Sequence, residues 1–360
     1  MATLADVAKR AGVSTSTASR VLNGRGKSHR IAESTEAAIR KAAEELAYRP
    51  NALARALQAG RNETIGYLLH FDRGHGLSGP WTANLLGGVN EAVRAADYHL
   101  LLASENEGWQ NKELGSDTLQ RIDALIATGF MFGKNYPLVG LEDIDVPIAV
   151  MFDPPVPTRH PVVAISSEAA IRESVRHLVE LGHQRIAILM PSTGGSSEKD
   201  LSAEQQRRVK YIRAELTEHG LEPRLHVIQI EQPTSHADPA RSITSQYDAL
   251  KPQLDELRQC TATLCYNDYT AIALMRALRE VNVQVPTDHS IIGFDDLLAE
   301  IPRPALTTIS HNLRQIGYRA GEIALEMAKL GKKEAHQWQG KRETIAASFI
   351  RRESTGPAPA

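Results

Sequence analysis

Residues 14–23 read STSTASRVLN, a run in which Ser14, Thr15, Ser16, Thr17 and Ser19 are short hydroxyl side chains, Arg20 is the one charge, and Asn23 closes the stretch. Hydroxyls of this size donate and accept hydrogen bonds with little bulk, and a guanidinium can fork onto two acceptors at once. On a helix, Thr15 and Ser19 line up, as do Ser16 and Arg20, each pair four residues apart. A face of this kind can enter a major groove about 12 Å wide, bond phosphates and base edges, and take guanine O6 and N7 together. A merely solvated surface helix would use the same residue types, so the surrounding sequence decides between them.

Those surroundings are helical. Thr3 and Asp6 form a capping pair ahead of Leu4, Val7, Ala8 and Ala11, which fall at i, i+3, i+4 and i+7 on one face. Gly12 permits a sharp turn that Val13 can plug, Ser14 is a natural N-cap, and Ala18, Val21 and Leu22 face inward on the next helix. A third helix turns Ile39, Ala42, Ala43 and Leu46 inward and ends at Tyr48. Helix, glycine turn, helix and support helix make the helix-turn-helix pattern. In the segment RPNALARALQAGR that follows, Pro50 breaks the chain and Asn51 can cap a helix from Ala52 to Gln58, closed by Gly60. A helix this short needs contacts from outside. Leu53 and Leu57, with Ala54 and Arg55 beside them, either pack on the rest of the chain or pair with a second copy over DNA, where an apolar side chain can wedge between base steps.

The 360 residues fit two or three domains. Residues 1–61 hold eleven Lys/Arg against five Asp/Glu, a balance of +6, while the remainder carries −8. A basic head on an acidic body points to a polyanion partner for the head. No apolar run approaches the ~18 residues of a membrane helix, and no basic segment leads into an apolar one as a secretory signal would. The expectation is a cytoplasmic protein without a membrane partner. Cys260 and Cys265 are too few for a disulfide framework or a four-ligand zinc site and read as small core residues. No metal and no cofactor is expected.

Beyond residue 62, apolar runs of strand length alternate with helical patterns. TIGYLL precedes a helix through Leu85, Val89 and Val93; LVELGHQRIAILM is helix end, turn and strand; ATLCYND leads into YTAIALMRALREV; SIIGFDD is a buried strand ending in acids. Repeated β-α-β implies parallel sheets covered on both faces, and a body this long implies two lobes with the ligand site at strand carboxyl ends between them. GHGLSG, Gly74 to Gly79, spells G-x-G-x-x-G, but FDR separates it from its strand and the next candidate acid, Glu105, lies too far on for a dinucleotide fingerprint. A flexible rim of the cleft is the better reading; Asp72 and His75 lack a third metal ligand.

TLADVAKRAGVSTSTASRVLN, YRPNALARAL and, more than two hundred residues later, VPTDHSIIGFDD together resemble the LacI/GalR family of bacterial transcription regulators, in order from Thr3 to about Arg352. The resemblance implies an all-α helix-turn-helix head plus an α/β two-lobed periplasmic-binding-protein-like body, with parallel sheets and three crossovers. It divides the chain into 1–49 (DNA-binding domain), 50–61 (hinge helix and linker), 62–352 (effector-binding and dimerisation body) and 353–360 (tail). The near lobe is expected at about 62–160 and 297–325, the far lobe at about 163–294 and 326–352. DNA contacts are expected from Thr3, Ser14, Thr15, Ser16, Thr17, Ser19, Arg20, Asn23 and His29, with Asn51, Leu53, Ala54 and Leu57 in the hinge. His29 is equally a solvated loop residue. The loop NGRGKSHRI is longer than usual and adds Arg25, Lys27 and Arg30, which would steepen salt dependence.

For the effector the resemblance implies Trp81, Asp153, Arg207, Asn267, Asp295 and His311. A carboxylate, an arginine, amides and a tryptophan suit a neutral carbohydrate, although each residue alone could be a structural hydrogen-bonding or ion-pairing group. Two departures stand out: Lys210 replaces the glycine of the pattern Arg-x-x-Gly-aromatic after Arg207, and Ser166 replaces an aspartate after VVAI. The implied function is a ligand-responsive regulator, a repressor of carbohydrate uptake or catabolism, acting on palindromic double-stranded operator DNA as a homodimer. The tail ESTGPAPA has no leucine heptads to build a larger assembly. The rival class, a sugar- or nucleotide-handling enzyme with a basic head, lacks a nucleophile–base pair, metal motif or phosphate loop in the sequence.

Overall fold

A computed structural model describes residues 2–22, 31–48, 61–69, 77, 79–104, 116–129, 144, 146–154, 157–231, 238–331 and 334–359. The candidates Asn23, His29, Asn51, Leu53, Ala54 and Leu57 lie outside the described residues, as do Arg25, Lys27, Arg30, Asp72 and His75. The chain forms two compact units, Met1–Glu63 and Thr64–Ala360.

The first unit is helical. α1 (Leu4–Ala11) starts at the Thr3–Asp6 capping box, in which the Asp6 N–H donates to Thr3 Oγ1 at 3.3 Å and the Thr3 N–H donates to Asp6 Oδ2 at 2.8 Å. Gly12, at φ 69°, closes it in the left-handed region that glycine enters without strain. α2 (Thr15–Leu22) follows, then α3 (Glu33–Glu45). α3 stops short of Tyr48, where the sequence pattern ended it. Ala47 turns to φ 46°, its N–H bonds Glu44, and the Tyr48 N–H returns to Ala43 at 2.8 Å, a double closure that satisfies the last carbonyls. Val7, Ala8, Ala18, Val21, Ile39, Ala42 and Ala43, contributed by all three helices, form one buried core.

The second unit holds two six-stranded sheets. In chain order its strands are β1 (Thr64–Leu69), β2 (His99–Ser104), β3 (Ala124–Thr128), β4 (Ile148–Met151), β5 (Val162–Ser166), β6 (Ile186–Ser192), β7 (Arg224–Gln229), β8 (Ala262–Cys265), β9 (Ser290–Asp295), β10 (Thr307–Ser310), β11 (Arg342–Ala346) and β12 (Ser348–Ile350). The first sheet runs β11-β5-β4-β3-β1-β2, all parallel; the second runs β12-β10-β9-β8-β6-β7, parallel except for the antiparallel edge strand β12. Central strands are apolar on both faces because both are packed into buried clusters. On β1, Ile65 and Tyr67 meet α4 (Pro80–Ala95), while Leu68 joins the opposite cluster with Leu125 and Ile148. The chain passes between sheets three times: after Ser166, around His311–Asn312, and through Ala347.

These crossings correct the expected lobe limits. β5 belongs to the first sheet, so the far lobe does not begin at 163. β10 pairs with β9, so 297–310 stays with the second sheet. The helix Leu313–Leu330 and strand β11 return to the first, so 326–346 does not belong to the far lobe. The reason is helix packing: Leu313–Leu330 lies against α4 so closely that a Cβ at Gly88 would strike the backbone of Arg314 and Tyr318, and one at Gly317 the Leu85 carbonyl. Nor is 353–360 a loose tail. Ser354 is fully buried, its hydroxyl donating to the Ile291 carbonyl at 2.6 Å, and the Gly356 carbonyl meets the buried ring of His183 at 3.0 Å. Cys260 and Cys265 are free and buried.

Candidate functional site

Ser14 caps α2 by accepting the Thr17 N–H at 3.1 Å, and its hydroxyl also meets those of Ser16 and Thr17 at 2.9 and 2.8 Å. With Ala18 and Val21 turned into the core, Thr15, Ser16 and Arg20 stand exposed, and Thr17 and Ser19 are half-buried at the edge. The exposed face is thus short, hydroxyl-rich and tipped by one guanidinium. Thr3 is committed to its capping box, and its hydroxyl donates to Asp6 at 2.7 Å. What it can offer a phosphate is chiefly its place at a helix N-terminus, where backbone N–H groups and the helix dipole favour anions.

In the second unit a cleft of about 1030 Å³ opens between the two sheets, and Trp81, Asp153, Arg207, Asn267, Asp295 and His311 all line it. The most constrained of these is Asp295, the last residue of β9. Asp295 and Asp296 have φ of 93° and 57°, a left-handed backbone that costs a non-glycine residue on the order of 1–3 kcal/mol. Two anchors hold this turn. Asp268, which opens the helix Asp268–Glu280, accepts from the Leu297 and Leu298 N–H groups at 2.7 and 3.0 Å and from the Thr308 hydroxyl at 2.8 Å. Arg352 donates to Asp296 at 2.8 Å and to the Leu306 carbonyl at 3.1 Å.

Burial pushes the Asp295 carboxyl up to about 8; Arg208 pulls against that shift, while Asp268 and Glu204 reinforce it. At neutral pH the group is therefore largely a neutral acid, able to donate as well as accept. His311 Nδ1 stands 3.4 Å from its Oδ1. Trp81, in the first turn of α4, stacks on Phe152 with centroids 5.5 Å apart and meets His311 edge-on at 5.6 Å. These rings build an apolar wall beside the carboxyl. Asn267 caps its helix, its side-chain oxygen accepting from the Thr270 N–H at 3.0 Å and hydroxyl at 2.9 Å, so only its amide NH₂ remains for a ligand. Arg342 donates to both carboxylate oxygens of Asp153, which leaves that carboxylate less open to hydroxyls than expected.

Arg207 lies exposed on the rim, and it is the next residue, Arg208, that is buried. The Arg208 guanidinium sits 3.7 Å above the Phe294 ring, bonds Glu204 at 2.6 Å and donates to the Tyr266 carbonyl at 2.5 Å. The sequence reading passed over Arg208, Glu204, Phe152, Tyr266 and Arg342. A signal for Arg208 was present: on the helix Ala203–Glu218, Gln205, Arg208, Val209, Ile212 and Leu216 form one inward stripe, with Arg207 off it. Among the described residues no group of three His, Cys, Asp or Glu is placed to hold a metal, and no helix is long and apolar enough to cross a membrane.

A small helix-turn-helix unit, carried on one chain with a body of two parallel sheets, is the organisation of a DNA-binding regulator, and comparison with known proteins agrees. Residues 3–51 match the model of bacterial regulatory proteins of the lacI family, and residues 175–355 match a periplasmic binding protein-like domain. The chain is 30% identical over 332 residues to the HTH-type transcriptional repressor PurR of Photobacterium profundum, covering 91% of this chain and 92% of that one. Among solved structures, the Lac repressor dimer bound to operator and the anti-inducer ONPF superposes with a TM-score of 0.70 at 24% identity over 99% of both chains. The transcriptional regulator CelR–cellobiose complex gives 0.64 at 24% identity, over 98% of this chain and 100% of that one. The chain belongs to the lacI family of bacterial regulatory proteins; it is a DNA-binding transcription regulator and not an enzyme.

Proposed function

We propose that the chain is a repressor that binds a palindromic operator as a homodimer and responds to a small carbohydrate held between its lobes, controlling genes for uptake or breakdown of that carbohydrate. The observation that carries this reading is the convergence, in one cleft, of the stacked Trp81–Phe152 face with Asp295, Arg208 and His311. A sugar ring offers a C–H face for stacking and vicinal hydroxyls for groups that both donate and accept. The cellobiose bound by CelR, whose fold this chain shares, supports the same ligand class.

On the DNA side, Arg20 with Thr15 and Ser16 reads base edges, and Thr3, Ser14, Thr17, Ser19, Asn23 and His29 fix register on the backbone. Asn51, Leu53, Ala54 and Leu57 contact the minor groove, with Leu57 as the wedge. A ligand that changes the angle between lobes alters that contact and so the operator affinity. The test is melting-shift and calorimetric screening of the full chain against sugars and nucleobases, followed by gel retardation on its own upstream DNA with each hit. A sugar that binds and changes operator affinity supports the reading. Binding confined to nucleobases overturns the ligand class, and a hit without effect on DNA binding overturns the coupling.

A further inference from the structure

Five acids line the cleft, and four of them are matched within the protein. Asp153 is forked by Arg342, Glu204 takes two bonds from Arg208, and Glu168 meets Arg172 at 3.3 Å. Asp200 accepts from the Ser197 N–H at 3.0 Å and hydroxyl at 2.6 Å, with Lys199 adding positive charge nearby. The fifth, Asp295, is buried at the strand end beside His311. On the cationic side, Arg208 and Arg342 are matched by the acids just named. Arg207 is not: among the described residues no acid pairs with it, though it lines the same cleft. Among the described residues, the cleft therefore holds one uncommitted cation with a full fork of donors, while most of its acids are already engaged.

We infer that the cleft selects a carbohydrate bearing one anionic group, a carboxylate or a phosphate, that Arg207 binds as a fork. This rests on the carbohydrate reading above and narrows it, replacing the neutral sugar suggested by residue types alone. Geometry gives the fork its value, because guanidinium and carboxylate or phosphate match through two parallel bonds. Arg342 adds to the selection from the opposite lobe: it neutralises Asp153, which would otherwise repel an anion. The sugar ring then lies against Trp81 and Phe152 with its hydroxyls toward Asp295 and Arg208.

The test is calorimetry on the full chain with glucuronate, galacturonate, gluconate and glucose 6-phosphate, each beside neutral glucose or galactose, in wild type, Arg207→Gln and Arg207→Lys. At least one acidic sugar is expected to bind ten-fold or more tightly than its neutral parent. That preference should fall at least ten-fold in Arg207→Gln and be retained in part in Arg207→Lys, which keeps the charge and loses the fork. The uronate and phosphate arms tell the two anionic groups apart. Neutral sugars binding as tightly as acidic ones, or an acid preference untouched by Arg207→Gln, overturns the inference and leaves the carbohydrate reading standing. Failure of every sugar, acidic or neutral, overturns both.

Discussion

In α2 the side chains proposed to read DNA stand in water on one short helix; in the cleft the polar groups are buried among aromatic rings on elements far apart in sequence. Thr15, Ser16 and Arg20 are exposed, and the core beneath them is built by Ala18 and Val21. Asp295, His311 and Arg208 are each under 10% exposed, on a strained turn, a crossover and a helix. The first arrangement leaves its groups free to meet a partner that supplies the complementary charge. The second must hold its groups in place before any ligand arrives, so it needs anchors such as Asp268 and Arg352. In the head, the exposed residues proposed to read bases, Thr15, Ser16 and Arg20, are separate from those that build the core, whereas in the cleft many are the same.

The largest expected effect tests that overlap. Asp268→Ala strands the Leu297 and Leu298 N–H groups and the Thr308 hydroxyl in a buried turn, and should destabilise the second unit by about 2–4 kcal/mol as well as abolish ligand binding. Thermal unfolding checks it, with Ser16→Ala as the exposed counterpart, expected within about 0.5 kcal/mol of wild type. If the two substitutions cost the same, the contrast fails. Next comes Arg20→Ala, which should weaken operator binding by about 1–3 kcal/mol and relax one base position while leaving the head's melting unchanged. Binding assays over a set of single-base operator variants separate that outcome from a uniform loss, which would make Arg20 a phosphate contact.

Asp295→Asn sharpens the comparison through pH. The folded carboxyl titrates near 8 against an ordinary value of 3.8, so between those values the folded chain keeps a proton that the unfolded chain releases. This group's stabilising contribution is complete below about pH 4 and is lost as pH rises through 8. Substitution by the neutral amide should flatten that decline and raise the melting temperature at pH 8 by a few degrees, at about 2–4 °C per kcal/mol. Melting curves at pH 5 and pH 8 give the answer; an unchanged slope would mean that Asp295 is ionised in the folded protein. A modest effect is expected of Ser14→Ala, which removes the α2 cap and should cost the head about 1 kcal/mol by chemical denaturation.

The same contrast explains what the sequence disclosed. The head was readable residue by residue, because its turn, caps and inward stripe follow one local period; even so, α3 closes before Tyr48 through a left-handed Ala47 that no pattern announces. The alternation of strands and helices gave away the parallel sheets, but not which sheet each strand joins. VVAIS at 162–166 is apolar enough for either, and RETIA at 342–346 is too polar to signal a strand beside it. Trp81, Asp295 and His311 could be named only through family resemblance, since three distant elements bring them together. Arg208 was legible from helical spacing, yet a motif anchored on Arg207 drew attention to its neighbour. Residues 353–360 show no apolar period because their anchors are small groups, the Ser354 hydroxyl between β9 and β10 and the Gly356 carbonyl on His183.

The central claim is that occupancy of this cleft sets the affinity of the head for DNA. The most direct measurement is operator affinity of the full chain, with and without the carbohydrate found by screening, in wild type and in Asp295→Ala, which removes both the donor and the acceptor. The account predicts a shift of ten-fold or more in wild type and less than two-fold in the variant, with both proteins binding operator in the absence of ligand. An equal shift in the two, or none in wild type at saturating ligand, would contradict it.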